Sequence, residues 1–307
     1  DNIFVRAWEA IVKTVKKIIN KIVGFFRKLF DSASKQNKAI SKMKVEYGDK
    51  VVSPAFESSV AKNMGGSKNV NEVIKFIDSH ADFISNGMGD INTKAKDLLK
   101  KAKEAAKKFG KEKEKNRNGD EIRNVATRIL DDFEKIITDM DVTGKVNDGF
   151  MLWGGRSLHV NVFATSSARG EDNVSKEGKG HFFSVEFKNN SKLDTSEGGK
   201  STVEAWNSGN GSKFKASAVK LSDAVVAYTK ESRKFEDLQK EIMNTVDDLK
   251  SLGDDSKGGD DDKDSKKAFE KMVSTMRTMI VDVTNFVSKV NAAVLSSANS
   301  TVSGVLT

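Results

Sequence analysis

The chain has 307 residues, with 52 Lys+Arg against 44 Asp+Glu, a formal net charge of +8 and a sequence pI near 9.3. Hydrophobic residues make up 37% of it and charged residues 31%, and long periodic apolar segments are present, which excludes a chain that is disordered throughout. The lack of cysteine excludes disulfides, Cys-ligated zinc and thiol catalysis, and a single proline leaves long helices uninterrupted.

The positive charge is concentrated in two segments. Residues 1–30 carry seven basic and two acidic side chains, a net +5, and residues 94–117 carry eleven basic and four acidic ones, a net +7. The rest of the chain is therefore slightly acidic. The net positive charge therefore arises from two basic segments, and the protein is not basic throughout.

The first basic segment, residues 1–30, predicts an amphipathic helix that ends at Asp31–Ser34. Apolar residues recur at steps of three and four, with lysines on the opposite side. Three uses of this helix are open: packing within its own domain or an assembly, detachable anchoring on a partner protein, and insertion into a membrane surface. The residues expected to dock on a partner or a membrane are Trp8, Ile11, Val15, Ile18, Ile22, Phe25, Phe26, Leu29 and Phe30.

Four further regions follow an irregular connector over residues 31–69, which contains Pro54. Residues 70–149 have helical periodicity, with Gly87 and Gly89 expected to end the first helix. After them the pattern predicts a β insertion over 150–216, a helical hairpin over 217–295 and a Ser/Thr-rich tail over 296–307 that is either a short strand or disordered.

The β insertion is predicted from alternating apolar and polar residues. The candidate strands are Ser157–Ala164, a second one around Phe183 and Phe187, and Thr202–Trp206, separated by polar connections. The hairpin helices are separated by an acidic loop, and the last helix is expected to begin near Ser265. This order predicts an α+β fold that is predominantly α, a helical bundle with long antiparallel helices and a small inserted antiparallel β-meander.

The candidate metal-binding and phosphate-binding motifs in the sequence are incomplete. His159 and His181 lie in candidate strands and could face each other across a hairpin. Two histidines without a third ligand do not indicate a metal site, so we interpret them as ordinary strand residues. The segment Gly209–Lys213 has the residues of a phosphate-binding loop without its spacing or a following helix N-terminus. We therefore predict neither a metal site nor a cofactor from these residues.

The acidic loop has part of a calcium-binding pattern. Asp260, Asp262 and Asp264 follow the spacing of an EF-hand, but Ser265 stands where glycine is needed and Lys271 where glutamate is needed. A solvated loop is the better interpretation. With no catalytic residue assigned, we expect a protein that is not an enzyme.

The second basic segment predicts a solvated, lysine-rich helix that could neutralise DNA phosphates. It has one arginine and one aromatic residue, Phe109, and lacks the interleaved aromatic residues that stack on bases, so any contact with nucleic acid is expected to be non-specific and sensitive to salt. The residues assigned to this contact are Lys100, Lys101, Lys103, Lys107, Lys108 and Lys111.

The layout resembles a class of bacteriophage proteins. It combines the helix with Trp8–Lys13 and Phe25–Phe30, a lysine-rich helical body, a β insertion starting near Trp153–Arg156 and a closing helical hairpin. This is similar to the internal head or inner-capsid proteins of large tailed bacteriophages. The resemblance implies a structural or minor capsid protein inside the virion, trimmed by a prohead protease that cuts after Glu, and a chain that begins at Asp1 fits such processing as well as it fits artificial shortening.

The leading hypothesis is therefore a non-enzymatic virion protein inside a phage head, present in the host cytoplasm during assembly and DNA packaging. It would dock on capsid or other internal proteins and tolerate or contact packaged DNA. The alternative is a membrane-active α-helical protein, such as a pore-forming toxin component, that uses residues 1–30. No uncharged apolar run is long enough to cross a membrane, and the sequence leaves the oligomeric state open.

Overall fold

The computed structural model describes residues 3–44, 63–66, 70–97, 149–162, 183–189, 208–230 and 263–306, with isolated positions between 99 and 104 and between 236 and 247. These residues form four α-helices and one three-stranded antiparallel sheet, which confirms the predominantly α, α+β class. The elements are α1 (Ile3–Lys42), α2 (Val70–Asp82), β1 (Phe150–Leu152), β2 (Arg156–Val162), β3 (Phe183–Asn189), α3 (Ser208–Lys230) and α4 (Lys263–Leu306).

Helix α1 is longer than the sequence predicted. The predicted end at Asp31–Ser34 is wrong, because the helix ends at Lys42. The first part of the predicted irregular connector, up to Lys42, is therefore helical. The reason is that the buried face continues through Ala33 and Ile40, at the spacing of the residues before them. Aspartate and serine cap a helix only where the backbone leaves it, and no proline forces it to leave here.

The predicted end of α2 at its glycines is also wrong. Residues Phe83–Gly87 form a π-helical turn, and residues 88–97 continue as α-helix. Such a turn adds one residue without ending the helix. Met88 and Ile91 are buried beyond the turn, and this packing stabilises the continuation.

Helix α3 begins at Ser208, inside the region predicted as β insertion. The segment Gly209–Lys213, expected in a connection, forms its first turns. Four buried residues at helical spacing explain the early start, because they bind this part of the chain to the core: Phe214, Ala218, Leu221 and Val225.

Helix α4 starts at Lys263, close to the predicted Ser265, but it continues to Leu306 through the region predicted as a strand or disordered tail. Ala298 and Val302 are buried and continue its apolar face. The buried hydroxyl of Thr301 donates to the carbonyl of Ser297, at 2.8 Å. Bonds of this kind to the helix's own carbonyls let hydroxyl side chains be buried in a Ser/Thr-rich helix.

The sheet has the order β1-β2-β3 with antiparallel pairing throughout. Leu152 pairs with Arg156 across the first turn, and Leu158 pairs with Phe187 on the other side of β2. The turn uses Gly154 and Gly155, both with positive φ, of 86° and 69°, a conformation that favours glycine. The predicted antiparallel pairing is therefore confirmed for β2 and β3. Strand β1 was not among the predicted strands, and Thr202–Trp206 lies outside the described residues.

The helices and the sheet share one hydrophobic core. Helix α1 packs against α3 and α4, α2 packs against the same two helices, and β1 and β3 contact α4. Polar contacts on the surface add to this packing: Asn37 Nδ2 donates to Asp223 Oδ1 at 2.7 Å, and Lys220 Nζ donates to Asp82 Oδ1 at 2.7 Å. Helix α3 is thereby fixed between α1 and α2.

Candidate functional site

The apolar face of α1 is buried against the protein itself. Val15, Ile19 and Phe26 are at most 1% exposed, in the core formed with α3 and α4. The Phe26 ring also meets Tyr228 of α3 edge-on, with the ring centroids 6.1 Å apart. This face therefore stabilises the fold, which is the commonest fate of an amphipathic helix.

The burial of this face changes the predicted docking surface. Five of the nine residues expected to dock on a partner or a membrane have their side chains in the intramolecular core, and we no longer assign them to docking: Ile11, Val15, Ile22, Phe26 and Leu29. Ile18, Phe25 and Phe30 are half-buried at the border of that face. The side chain of Trp8 lies outside the described residues.

The opposite face of α1 is strongly basic. Nine basic side chains between residues 13 and 42 are all exposed, and Asp31 is the only acidic residue in this range. At 1.5 Å per residue they extend over about 44 Å. We call this surface the basic face: Lys13, Lys16, Lys17, Lys21, Arg27, Lys28, Lys35, Lys38 and Lys42.

Of the six lysines that the sequence predicts to contact nucleic acid, one lies within the described residues. Lys100 is exposed. Lys101, Lys103, Lys107, Lys108 and Lys111 lie outside the described residues. The sequence did not single out the basic face of α1, because residues 1–30 were interpreted by their apolar side, although nine cations against one carboxylate are visible over residues 13–42.

His80 is a buried polar group that joins three elements. Its Nδ1 lies 2.9 Å from the carbonyl oxygen of Phe76, and its Nε2 lies 2.8 Å from Ser297 Oγ. Because a carbonyl only accepts, Nδ1 donates, and Nε2 accepts the hydroxyl of Ser297. The same oxygen accepts the backbone N–H of Trp153, at 2.6 Å.

The environment of His80 keeps its ring neutral. Burial lowers the pKa of His80 to about 4, although the hydrogen bond to the Phe76 carbonyl acts in the opposite direction. The rings of Phe76 and Phe150 lie 4.5 Å and 4.9 Å from the imidazole, centroid to centroid. The sequence missed this group, although His80 falls on the apolar face of α2 at helical spacing from Val73 and Ile77.

A second buried polar network lies on the other side of the core. Asn92 Nδ2 donates to the hydroxyl of Tyr228, at 2.8 Å, and that hydroxyl donates to Asn291 Oδ1. Asn291 Nδ2 in turn donates to the carbonyl of Val287, at 2.6 Å. These contacts join the helical segment 88–97, α3 and α4, and they are those of a structural network.

The other residues considered as metal ligands do not form a metal-binding cluster within the described part of the chain. Nε2 of His159 lies 2.7 Å from Ser157 Oγ, and His159 pairs across the sheet with Glu186. His181, the Asp260–Asp262 part of the acidic loop and the side chain of Asp264 lie outside the described residues. Within the part of the chain that the structure describes, no three His, Asp or Glu side chains are close enough together to hold a metal ion.

Comparison of the chain with protein-family models, curated proteins and solved structures finds no match. None of the described helices is long and apolar enough to cross a membrane. The site is therefore defined by its own geometry: a long helix whose apolar side is fixed in the core and whose basic face is exposed.

Proposed function

We propose that this protein is a structural, DNA-contacting protein of a phage head interior, in which the basic face of α1 lies along the phosphates of packaged DNA. The supporting observation is the row of nine exposed cations on one helix face. The location inside a phage head follows the resemblance of the sequence layout. In this proposal the basic face of α1 contacts DNA, and its apolar face packs in the core instead of docking on capsid proteins.

The rigidity of α1 supports this function. Its apolar side is fixed by Val15, Ile19 and Phe26, so the cations on the opposite side keep their spacing when a polyanion binds. Lysines act as point charges and release counterions from DNA without reading its sequence. Such contact suits a protein that meets DNA of any sequence in a confined volume.

The salt dependence of DNA binding tests this role. We expect log K for duplex DNA to fall linearly with log salt concentration, and replacement of Lys13, Lys17 and Lys35 by glutamine to reduce the slope by about two to three, at about 0.9 per phosphate contact. The matched control replaces three exposed lysines on other helices, Lys75, Lys213 and Lys230. Equal slopes for the two triple variants would contradict the proposal.

The location is tested separately by fractionation of virions. The protein is expected to purify with DNA-filled heads and to resist protease added to intact particles. Recovery only from the outside of the particle, or only from a host membrane fraction, would contradict a position inside the head while leaving DNA contact as a separate result.

The alternative, a membrane-active protein that uses residues 1–30, requires α1 to leave the core. Insertion would expose Val15, Ile19 and Phe26 and break their packing with α3 and α4. We expect no dye leakage from vesicles of anionic phospholipid at neutral pH. Leakage by the wild-type chain that Phe26→Ala abolishes would instead support the membrane-active alternative.

A further inference from the structure

The helix-facing side of the sheet opens into a cleft at one end. Residues that alternate along a strand or pair across strands share a side, which places Leu152, Arg156 and Phe187 on the same side as the buried Leu158. Arg156 is nevertheless exposed, and Phe187 is 46% exposed, the most exposed large apolar side chain in the described part. Helix α4 therefore covers this side of the sheet only in part.

The open part is a cleft of about 380 Å³ between the sheet, α4 and α1. Phe25 of α1, Trp153 of the β1–β2 turn and Phe187 of β3 supply aromatic side chains. Arg156 and Lys289 supply positive charge, and none of the described residues that line the cleft is acidic. The size is within the range of small-ligand sites, so a single ring system with a charged substituent fits it.

The wall of the cleft formed by α4 consists of small and hydroxylated residues. Lys289 is followed at helical spacing by alanines and by Ser296 and Ser300. These side chains leave room for a flat group, and the hydroxyls can donate to or accept from the edge of a heterocycle. On α1, Phe25 lies one turn from Lys21 and from Lys28, which belong to the basic face.

We infer that this cleft binds one unstacked base of a single-stranded nucleic acid together with its neighbouring phosphate. Aromatic side chains stack on bases of any sequence, and a nearby arginine or lysine neutralises the phosphate. The inference rests on the proposed function, which it deepens, because the basic face near Phe25 would guide the same strand to the cleft. It adds a preference for exposed bases that phosphate contact alone does not give.

Paired oligonucleotides test the inference. One is a single-stranded oligothymidylate, and the other has the same length and phosphates but abasic sugars. We expect the full-length protein to bind the oligothymidylate at least about fivefold more tightly, the lower end of what one stacked base contributes. Equal affinity for the two would overturn this inference, while a salt-dependent affinity for both would leave the proposed function in place.

Two variants locate the preference in the cleft. Phe187→Ala and Lys289→Gln are each expected to remove the difference between the two oligonucleotides while the protein retains a cooperative unfolding transition. Lys188→Gln is the matched control, since Lys188 is exposed on the other side of β3, where it pairs with Glu186 at 3.9 Å. A preference that survives both cleft variants would place the base elsewhere and overturn the inference.

Discussion

Ser297 Oγ on α4 lies 2.8 Å from Nε2 of His80 on α2, and it also accepts the backbone N–H of Trp153 in the turn between β1 and β2. One buried hydroxyl thus joins two helices and the sheet. His80 is fully buried and Ser297 is 6% exposed, so water cannot replace the bond between them without opening the core. This junction attaches the sheet to α2 and α4 by hydrogen bonds.

Ser297→Ala is expected to destabilise the fold by about 1–3 kcal/mol, because it leaves a buried acceptor on His80 and a part-buried N–H on Trp153 without a partner. Chemical denaturation at neutral pH measures the loss. Ser296→Ala, at an exposed position one residue earlier, is the control and should change stability by less than about 0.5 kcal/mol. Equal effects of the two substitutions would show that the junction contributes little.

The stability of the fold should fall as the pH drops from about 6.5 to about 4. In the unfolded chain His80 titrates at its ordinary pKa of 6.5, and in the fold its pKa is about 4, so between these values only the unfolded chain takes up the proton. Above pH 6.5 His80 is neutral in both states and does not lower the free energy of unfolding. By pH 4 its protonation in the unfolded chain has reduced the free energy of unfolding by about 3 kcal/mol. Denaturant unfolding measured across this range records the slope.

His80→Phe separates this effect from the titration of carboxyl groups. The variant fills the space between Phe76 and Phe150 with an apolar ring and cannot take up a proton. Its stability at neutral pH is expected to be lower, because Ser297 loses its acceptor, but its decline between pH 6.5 and 4 should be smaller than in the wild type. Parallel pH curves for the two proteins would exclude His80 as the source.

The fold class was predictable from the sequence, and several element boundaries were not. Periodicity identified α1, α4 and strands β2 and β3, because burial of one side requires it. The boundaries failed at residues that usually end helices: serine and aspartate near position 31, Gly87, and the Ser/Thr-rich end of α4. In each case buried residues beyond that position, such as Ile40, Met88 and Val302, stabilise a longer helix.

The candidate site was only partly predictable. The apolar and basic sides of α1 were both visible in the sequence, but the sequence could not say whether the apolar side packs in the protein's own core, on a partner protein or on a membrane. The junction of His80 with Ser297 joins residues 217 positions apart, and the cleft joins residues of α1, the sheet and α4. Such sites depend on tertiary packing, which local periodicity does not determine.

Alanine substitutions at two helical glycines are expected to change the stability of the fold in opposite directions. A Cβ on Gly304 of α4 would lie 2.3 Å from the ring of Trp153, so Gly304→Ala must displace that ring and should destabilise the fold by about 1–3 kcal/mol. A Cβ on Gly24 of α1 meets nothing within 4 Å, so Gly24→Ala should stabilise it by up to about 1 kcal/mol through helix propensity.

Denaturant unfolding of the two variants measures both effects, and tryptophan fluorescence reports whether the Trp153 ring has moved. Gly304→Ala should change the emission, because the Trp153 ring must move away from the new Cβ, whereas Gly24→Ala should leave the emission unchanged. If Gly304→Ala also blocks the preference for oligothymidylate over the abasic strand, the position of Trp153 controls access to the cleft. A Gly304→Ala variant with wild-type stability and emission would contradict the close contact between this helix and the turn.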